Sequence, residues 1–378
     1  MIHGSGKVRI QMDIKNMKND NNFKVMNHRI ISIDFLRSFA IFTVVLCHAT
    51  EKIYTLNVAF LSQISVQSRV FALAAFTVGR LGVPIFIFIT GYLLLVRKYD
   101  TTGCKLFWRR NWLGLLITTE IWIVLYRLFL AWFCDSGLSI VTFIKNMLFL
   151  EHVSPQYMTH MWYMPMIIGL YIFIPFVANT VQSVDTKTLA FPMIFAGVVL
   201  FAVPVINVLM EIYQLGKISS SIDIGFAGGI YGSMLICGFL VRKDCFKQCK
   251  SSILLLLAVA AFLATVGLQL YAYQHMMKYN VWYNNGLLVL CSFALFELGT
   301  RIKEYPFKNT IYDLSRCSFG IYLVHNPILL AMHKFIPLQG MLPIQVMVLW
   351  FGVLFISWLI VHWISKVPIL GRYLFFMK

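Results

Sequence analysis

The sequence predicts an all-α polytopic integral membrane protein with about ten transmembrane helices and both termini in the cytoplasm. Of its 378 residues, 59% are hydrophobic and only 12% are charged, and the mean hydropathy is +0.76. A soluble domain carries about 25% charged residues, so this chain has too few of them to cover a soluble surface. Apolar stretches of about 20 residues recur along the chain, and Lys and Arg concentrate in alternate loops.

Ten apolar stretches are candidates for crossing the hydrocarbon core of a bilayer, which takes about 20 helical residues. They cover residues 31–50, 78–97, 112–133, 160–179, 189–208, 224–241, 252–272, 281–299, 314–334 and 342–363. We therefore expect one membrane domain at 31–363. A flexible basic cytosolic tail at 1–30, which lacks the apolar core of a signal peptide, precedes it. A second cytosolic tail at 364–378 follows it.

The positive charges predict the orientation of the chain. With ten spans, 22 of the 32 Lys and Arg residues fall on the side of the termini, 6 fall on the other side and 4 lie inside spans. Cytoplasmic loops are enriched in Lys and Arg, so both termini are expected in the cytoplasm. The net charge of +17 then reflects loops beside anionic lipid, and no nucleic-acid partner is expected.

The first apolar stretch contains ionisable residues. The segment "IDFLRSFAIFTVVLCHA" places Asp34, Arg37 and His48 inside it. Eleven residues are almost three helical turns, so Arg37 and His48 share one face, about 16 Å apart along the helix. If this pair were isolated, Arg37 would be explained as a snorkelling arginine and His48 as a core histidine whose hydrogen bonds are satisfied. Ionisable groups in a membrane are costly, however, and tend to mark a site or a pathway.

Several other apolar stretches also contain ionisable residues. Arg80 lies near the outer end of the second stretch, His160 opens the fourth and His325 lies in the middle of the ninth. Together these residues predict a polar cavity inside the helix bundle. Glu120 and Arg127 lie seven residues apart on one face of the third stretch and are expected to form a structural ion pair. The eight cysteines show no metal-ligand pattern, so no metal site is predicted.

Four segments in chain order carry a family resemblance. The first contains Arg37 and His48 with ten residues between them, and the others are "GRLGVPIFIFITGYLLL", "HMWYMPMIIGLYIFIPFV" and "LSRCSFGIYLVHNPIL". Together they resemble the acyltransferase-3 membrane acyltransferases, in the branch that modifies surface polysaccharides. Many relatives have a Glu-rich third segment and a soluble hydrolase-like domain. The segment here has no Glu, and a compact form without a second domain is expected.

The resemblance implies an O-acetyltransferase-like activity. Such an enzyme moves an acyl group, usually acetyl, from a cytosolic acyl-CoA to a sugar hydroxyl on the extracytoplasmic side. The acceptor is a surface polysaccharide, another glycan or its lipid-linked precursor. Acyl-CoA is then a donor substrate, and no bound cofactor is expected. The implied location is the cell membrane, as a multi-pass protein of a bacterial cytoplasmic membrane.

The resemblance also suggests roles for individual residues. His48 suits a general base that activates the sugar hydroxyl, or a nucleophile that is itself acylated, and the sequence leaves both routes open. Arg37 is expected to bind donor phosphates near the cytosolic mouth. Arg80 would stabilise the oxyanion or bind an anionic acceptor, and Asp34 would orient or merely neutralise Arg37. The second-rank candidates are His325, Tyr163, His160 and Glu120.

A transporter or exporter of a surface glycan or lipid-linked sugar is the alternative function. A ten-helix bundle with buried Arg, Glu and His would also suit such a protein. Transport folds are commonly built from internal repeats with broken helices in matching places. The sequence shows no such repeat, so the acyltransferase is the preferred hypothesis.

Overall fold

The computed structural model describes residues 30–134, 137, 139–150, 159–219, 224–225, 228–336 and 339–377. These residues form an all-helical fold without strands, which confirms the predicted class. The basic tail predicted at 1–30 lies outside the described residues, except for Ile30.

The α-helices of the described residues are numbered here in chain order. They are α1 Ile31–Ile53, α2 Val58–Gln63, α3 Val66–Arg80, α4 Gly82–Leu94, α5 Thr101–Phe107, α6 Leu113–Phe133, α7 Ile140–Met147, α8 Tyr163–Gln182, α9 Ala190–Ala196, α10 Val203–Ile212, α11 Gly229–Arg242, α12 Ser251–Gln274, α13 Gly286–Thr300, α14 Lys308–Phe335, α15 Leu342–Ile364 and α16 Pro368–Phe375. Short π-helical turns continue α5 into α6 and α9 into α10, and a 3-10 turn at Thr159–Trp162 precedes α8.

Each of the ten predicted stretches contains a helix. Seven segments of the described chain are long and apolar enough to cross a membrane: Ile31–Ile53, Val66–Leu94, Thr101–Phe133, Thr159–Gln182, Thr186–Ile212, Ser251–Gln274 and Leu342–Ile364. Two further apolar helices, α11 and α13, are shorter. The remaining stretch, the ninth in chain order, corresponds to α14, which has 28 residues but also carries charged side chains. The chain is thus a polytopic membrane protein, and the count of ten crossings stays a prediction.

The second segment begins earlier than the apolar pattern predicts. Helix α3 begins at Val66, twelve residues before the predicted start, and the Ser65 hydroxyl caps it by accepting from the Ser68 amide at 3.2 Å. The polar sequence after Val66 lowers the local hydropathy, so a scan for apolar residues misses this half of the helix. Arg80 consequently lies midway along Val66–Leu94, and not near one end of the segment as the predicted span 78–97 implies.

Glycines allow α1 to pack closely against α3 and α4. A Cβ at Gly79 would lie 2.5 Å from the Cα atom of Cys47, and one at Gly82 would lie 2.4 Å from the carbonyl oxygen of Ala40. Small residues at such crossings let two helix backbones approach. The approach at Gly79 places the neighbouring Arg80 against the part of α1 that carries His48.

Helices α4 and α11 form a second close crossing. A Cβ at Gly91 would lie 1.9 Å from the carbonyl oxygen of Leu235, and one at Gly238 would lie 2.1 Å from that of Phe88. Each glycine therefore lets the backbone of the other helix approach closely at this crossing. This helix pair supports the wall of the cavity described below, to which Ile89 and Thr90 of α4 contribute.

The segment predicted as a cytosolic tail at 364–378 contains a packed helix. Helix α16 lies against α6 and α14, and its Phe375 side chain is only 2% exposed. The Trp122 indole of α6 donates to the carbonyl oxygen of Leu374 at 2.7 Å. The segment is too short to cross a membrane, which is why an apolar scan leaves it as a tail.

Candidate active site

His48 and Arg37 project from α1 into one cavity. Both line a cavity of about 620 Å³ that follows the helix, as their eleven-residue spacing predicts. Arg37 lies two turns from the start of α1, and His48 lies close to its end. The helix itself buries most of its remaining surface, including Leu36, Ile41 and Val45. The two polar side chains therefore interrupt a helix that is otherwise packed.

A chain of polar contacts runs from His48 to Arg80 through Glu51. The His48 Nδ1 lies 2.8 Å from Glu51 Oε2, and Arg80 donates to Glu51 Oε1 at 2.9 Å. A carboxylate can only accept, so its contact assigns the proton to Nδ1 of His48. The Nε2 atom of His48 then carries a free lone pair. This is the arrangement in which a carboxylate fixes the tautomer of a basic histidine.

Arg80 is held by aromatic side chains and by hydrogen bonds. It donates to the Tyr283 hydroxyl at 3.2 Å, and its guanidinium lies 4.6 Å from the ring of Trp282 and 4.7 Å from that of Phe76. These contacts fix the plane of the guanidinium. Its buried Nε has no hydrogen-bond partner. Arg80 lines both cavities, so its fixed positive charge could stabilise a developing oxyanion.

His160 and His325 converge on His48. The ring centroids lie 5.2 Å apart for His48 and His325, 6.0 Å for His48 and His160, and 5.0 Å for His160 and His325. His325 is fully buried and its Nδ1 donates to the carbonyl oxygen of Tyr322 at 2.6 Å, while its Nε2 has no partner. It lines neither of the cavities described here.

His160 has both ring nitrogens engaged. Its Nδ1 accepts from Asn326 at 2.7 Å, and its Nε2 lies 2.9 Å from the Tyr126 hydroxyl, which in turn donates to the carbonyl oxygen of Leu323. No lone pair of His160 is left for a substrate. The Nε2 atom of His48 is consequently the free histidine base on the cavity wall.

Asp34 lies near Arg37, whereas Tyr163 lies near the histidines, beside Trp162 and Tyr322. The buried Asp34 carboxylate accepts from the Ser315 hydroxyl at 2.8 Å and interacts electrostatically with Arg37, so it both fixes and partly neutralises that end of α1. Tyr163 lines the cavity, with its ring centroid 5.6 Å from that of Tyr322.

Glu120 lies outside this cluster. It lines neither cavity, and one of its oxygen atoms is buried without a hydrogen-bond partner. Arg127 instead donates to the side-chain oxygen of Asn146 on α7. The ion pair expected between Glu120 and Arg127 is not formed, because α7 provides Arg127 with a nearer acceptor.

Several residues of the cluster were not predicted from the sequence. Glu51 lies one residue beyond the predicted end of the first span, although its spacing of three from His48 is that of side-chain neighbours on a helix. Trp282 and Tyr283 come from the loop between α12 and α13, and Trp162 precedes α8. No local signal connects these aromatic residues to α1, because only the tertiary fold brings them together.

Two cavities meet at this cluster. The larger one is called the basic-end cavity, because it extends from His48 to arginines at the end where α1 begins: Arg97, Arg316 and Arg372. The other, the far-end cavity, has a volume of about 470 Å³ and extends from His48 to Asn57, Lys278 and Asn280 beyond the other end of α1. The walls of both contain His48, Arg80 and Trp162. His48 is thus reachable from two opposite ends of the bundle.

Comparison with family models places the chain in a family. A family model described as an acyltransferase domain matches residues 30–364, which include α1 to α15 and most residues of both cavities.

The chain belongs to the acyltransferase-3 family.

This acyltransferase-3 protein is therefore a membrane acyltransferase. The family resemblance of its four motif segments is confirmed, and a bilayer, an acyl donor and an acceptor are its general partners. No protein of curated function and no solved structure matches the chain.

A metal is a poor fit to the site of this acyltransferase. Ligand atoms of Cys47, His48 and Glu51 lie within 4.8 Å of one another. Both carboxylate oxygens of Glu51 are already engaged, one by His48 and one by Arg80. A cation placed here would also face the guanidinium of Arg80. The donor set suits proton transfer better than metal binding.

Proposed function

We propose that this protein is an O-acyltransferase that moves an acyl group, acetyl in the first instance, from a cytosolic acyl-CoA to a sugar hydroxyl. The acceptor is an extracytoplasmic glycan or its lipid-linked precursor, and the enzyme works in the cell membrane of a bacterium. The observation that carries the proposal is the position of His48 where the two cavities meet. A donor and an acceptor arriving from opposite ends would reach the same nitrogen.

The basic-end cavity suits an acyl-CoA donor. The positive-inside rule assigns this end to the cytoplasm, where acyl-CoA is found. About 16 Å separates Arg37 from His48 along α1, which is of the order of a pantetheine arm. A thioester can then lie beside His48 while the phosphate-bearing end of the donor remains at the arginines.

The geometry supports direct transfer with His48 as general base. Nε2 of His48 takes the proton of the sugar hydroxyl while that oxygen attacks the thioester carbonyl carbon. The guanidinium of Arg80, a residue on the wall of both cavities, stabilises the carbonyl oxygen as it becomes an oxyanion. The carbon–sulfur bond then breaks, and His48 returns the proton to the departing thiolate. A new ester and a free CoA thiol are the products.

The far-end cavity suits a sugar. Trp162 and Trp282 have ring centroids 5.3 Å apart, and Tyr283 lies against both at 5.3 Å and 5.0 Å. Flat aromatic surfaces of this kind pack against the C–H faces of pyranose rings. Asn57 lies on the same cavity wall. Its side-chain oxygen accepts from the Phe60 amide at 2.8 Å, and its NH2 group can donate to a sugar hydroxyl. A few polar groups on an aromatic wall are typical of small-molecule sites.

Turnover of acetyl-CoA by the detergent-purified protein tests the proposed function. We expect slow release of free CoA without an acceptor, because water can replace the sugar hydroxyl, and faster release with one. If neither acetyl-CoA nor succinyl-CoA is bound or turned over, the acyl-CoA proposal is wrong. Such a result would favour the glycan transporter, whose pathway would pass through the same two cavities.

Replacing Arg37 with alanine is expected to weaken donor binding. Its guanidinium lines the basic-end cavity, and a charged hydrogen bond to a phosphate contributes about 1.5–3 kcal/mol, so the KM for acetyl-CoA should rise by about 10- to 100-fold. The Arg37→Lys variant keeps the charge and should lose less. Unchanged donor affinity in Arg37→Ala would place the phosphates elsewhere.

Replacing Trp282 with alanine is expected to weaken acceptor binding. The side chain is 40% exposed and faces the far-end cavity. A panel of p-nitrophenyl hexosides and N-acetylhexosaminides serves as acceptors, and the KM for the best of them should rise by about tenfold. Trp132→Ala is the matched control, because that indole is 77% exposed and outside both cavities. Equal effects of the two variants would contradict the assignment of the far-end cavity to the acceptor.

A further inference from the structure

The family match ends at residue 364, but the wall of the basic-end cavity does not. Pro368, Gly371, Arg372, Phe375, Phe376 and Met377 all line it. These residues belong to α16 and the turn that follows it. The segment is a fixed part of the wall, because Phe375 is buried and the Trp122 indole donates to the carbonyl oxygen of Leu374.

The turn after α16 is closely fitted to the domain. Phe376 has a backbone φ of 53°, a left-handed conformation that ends the helix and turns the side chain back toward α6. A Cβ at Gly114 of α6 would lie 2.6 Å from the Phe376 ring. On the other side, the Phe376 ring centroid lies 6.3 Å from that of Phe319 on α14. An aromatic surface therefore borders the mouth of the basic-end cavity.

The same mouth is strongly positive. Arg97, Arg316 and Arg372 line it, and none of the described residues that line this cavity is acidic. Arg316 is positioned by Asp313 at 3.2 Å and by the Ser365 hydroxyl at 3.4 Å.

Asp313 is itself held in place. Its second carboxylate oxygen accepts from Trp358 and from His362, each at 2.7 Å. Arg372, by contrast, forms no hydrogen bond or ion pair with another described residue, and its guanidinium lies 5.6 Å from the ring of Tyr373. Arg316 is thus prepositioned, whereas the N–H donors of Arg372 remain available to a ligand.

We propose that α16 completes a binding site for the phosphorylated nucleotide end of the donor, with Arg372 and Arg316 on the phosphates. This inference rests on the proposed function, because it assigns the distal part of the same donor. CoA carries three phosphate groups, and clustered guanidinium groups bind phosphate oxygens through paired hydrogen bonds. The aromatic edge formed by Phe376 and Phe319 offers a surface for the adenine ring. Arg372 thereby contributes to the choice of CoA thioesters over shorter thioesters.

Anionic lipid headgroups offer the same phosphate chemistry at this depth, and the test has to separate the two sources. It compares acetyl-CoA with S-acetylpantetheine, which has the same thioester and arm but no nucleotide. In Arg372→Ala we expect kcat/KM for acetyl-CoA to fall by about 10- to 100-fold through KM. The value for S-acetylpantetheine should stay unchanged. Arg372→Lys should restore part of the loss.

The control variant is Lys303→Ala, which removes an exposed positive charge from the same end of the protein but outside the cavity. It should leave both thioesters unaffected. If Arg372→Ala lowers the turnover of both thioesters equally, the arginine serves the fold or a lipid, and the assignment is wrong.

Direct binding separates this inference from the proposed function. The Kd for CoA alone, measured calorimetrically, should rise by about 10- to 100-fold in Arg372→Ala, whether or not the wild type is active. A wild type that binds CoA but transfers no acyl group would contradict the proposed function and leave the site in place. An unchanged Kd in the variant would overturn the site.

Discussion

Replacing His48 with alanine is expected to reduce acyl transfer by about 10²- to 10⁴-fold, the usual contribution of a general base. The variant removes the Nε2 lone pair that both cavities share, and no neighbour replaces it. His160 has both nitrogens engaged, and the fully buried His325 lines neither cavity. The measurement is the release of CoA from acetyl-CoA, with and without a sugar acceptor.

The His48→Ala variant needs evidence that it still folds. His48 is partly exposed to the cavity, and its loss leaves the packed side of α1 intact, so the variant should purify as a monodisperse protein with a similar Tm. His275→Ala is the matched control, because that ring contacts the Tyr271 ring, with centroids 4.3 Å apart, and lies outside both cavities. Normal transfer by a folded His48→Ala protein would remove His48 from the mechanism.

Replacing Glu51 with glutamine is expected to lower kcat by at least about 100-fold with little change in the KM for acetyl-CoA. The amide has nearly the same shape, but it cannot act as a carboxylate toward both His48 and Arg80. Its N–H group favours the wrong tautomer of His48, and the imidazolium formed during transfer loses its counter-charge. In Ser-His-Asp triads the equivalent change costs about 10⁴-fold.

The pattern of kinetic changes tests this role for Glu51. A residue that fixes a base affects the chemical step, so kcat and kcat/KM should fall together. Glu211→Gln provides the control, because Glu211 pairs with Lys217 at 2.9 Å on an exposed surface. If Glu51→Gln raises only the KM, Glu51 acts in binding and not in orienting His48.

Much of the fold could be predicted from the sequence because the bilayer imposes its length on each helix. All ten apolar stretches contain helices in the structure. The errors occur where polar residues extend a helix beyond its apolar part. Helix α3 begins at Val66, before the predicted span, and α1 continues past residue 50 to include Glu51. A scan for hydrophobicity misses both the beginning of α3 and the last turn of α1.

The site was only partly predictable for a related reason. The positions of Arg37 and His48 follow from helix periodicity, which is local. The contacts of Arg80 with Glu51 and Tyr283 join α3, α1 and a loop more than 200 residues later, and helix periodicity carries no information about such distances. The close approach at Gly79 determines which side chains meet, and a single sequence does not show that Gly79 faces Cys47.

The shared position of His48 on two cavities also has an electrical consequence. In the proposed reaction a neutral alcohol at the far end becomes a neutral ester, and a neutral thioester at the basic end becomes a neutral thiol. If the basic end faces the cytoplasm, as the loop charges predict, the proton that moves inward is balanced by the acyl group that moves outward, and no net charge crosses the membrane. A membrane potential of 100 mV contributes about 2.3 kcal/mol for each elementary charge that crosses, so it contributes nothing to this exchange. The direction of transfer would then depend on the free energies of the thioester and the ester, and acylation outside would continue in a cell that has lost its membrane potential.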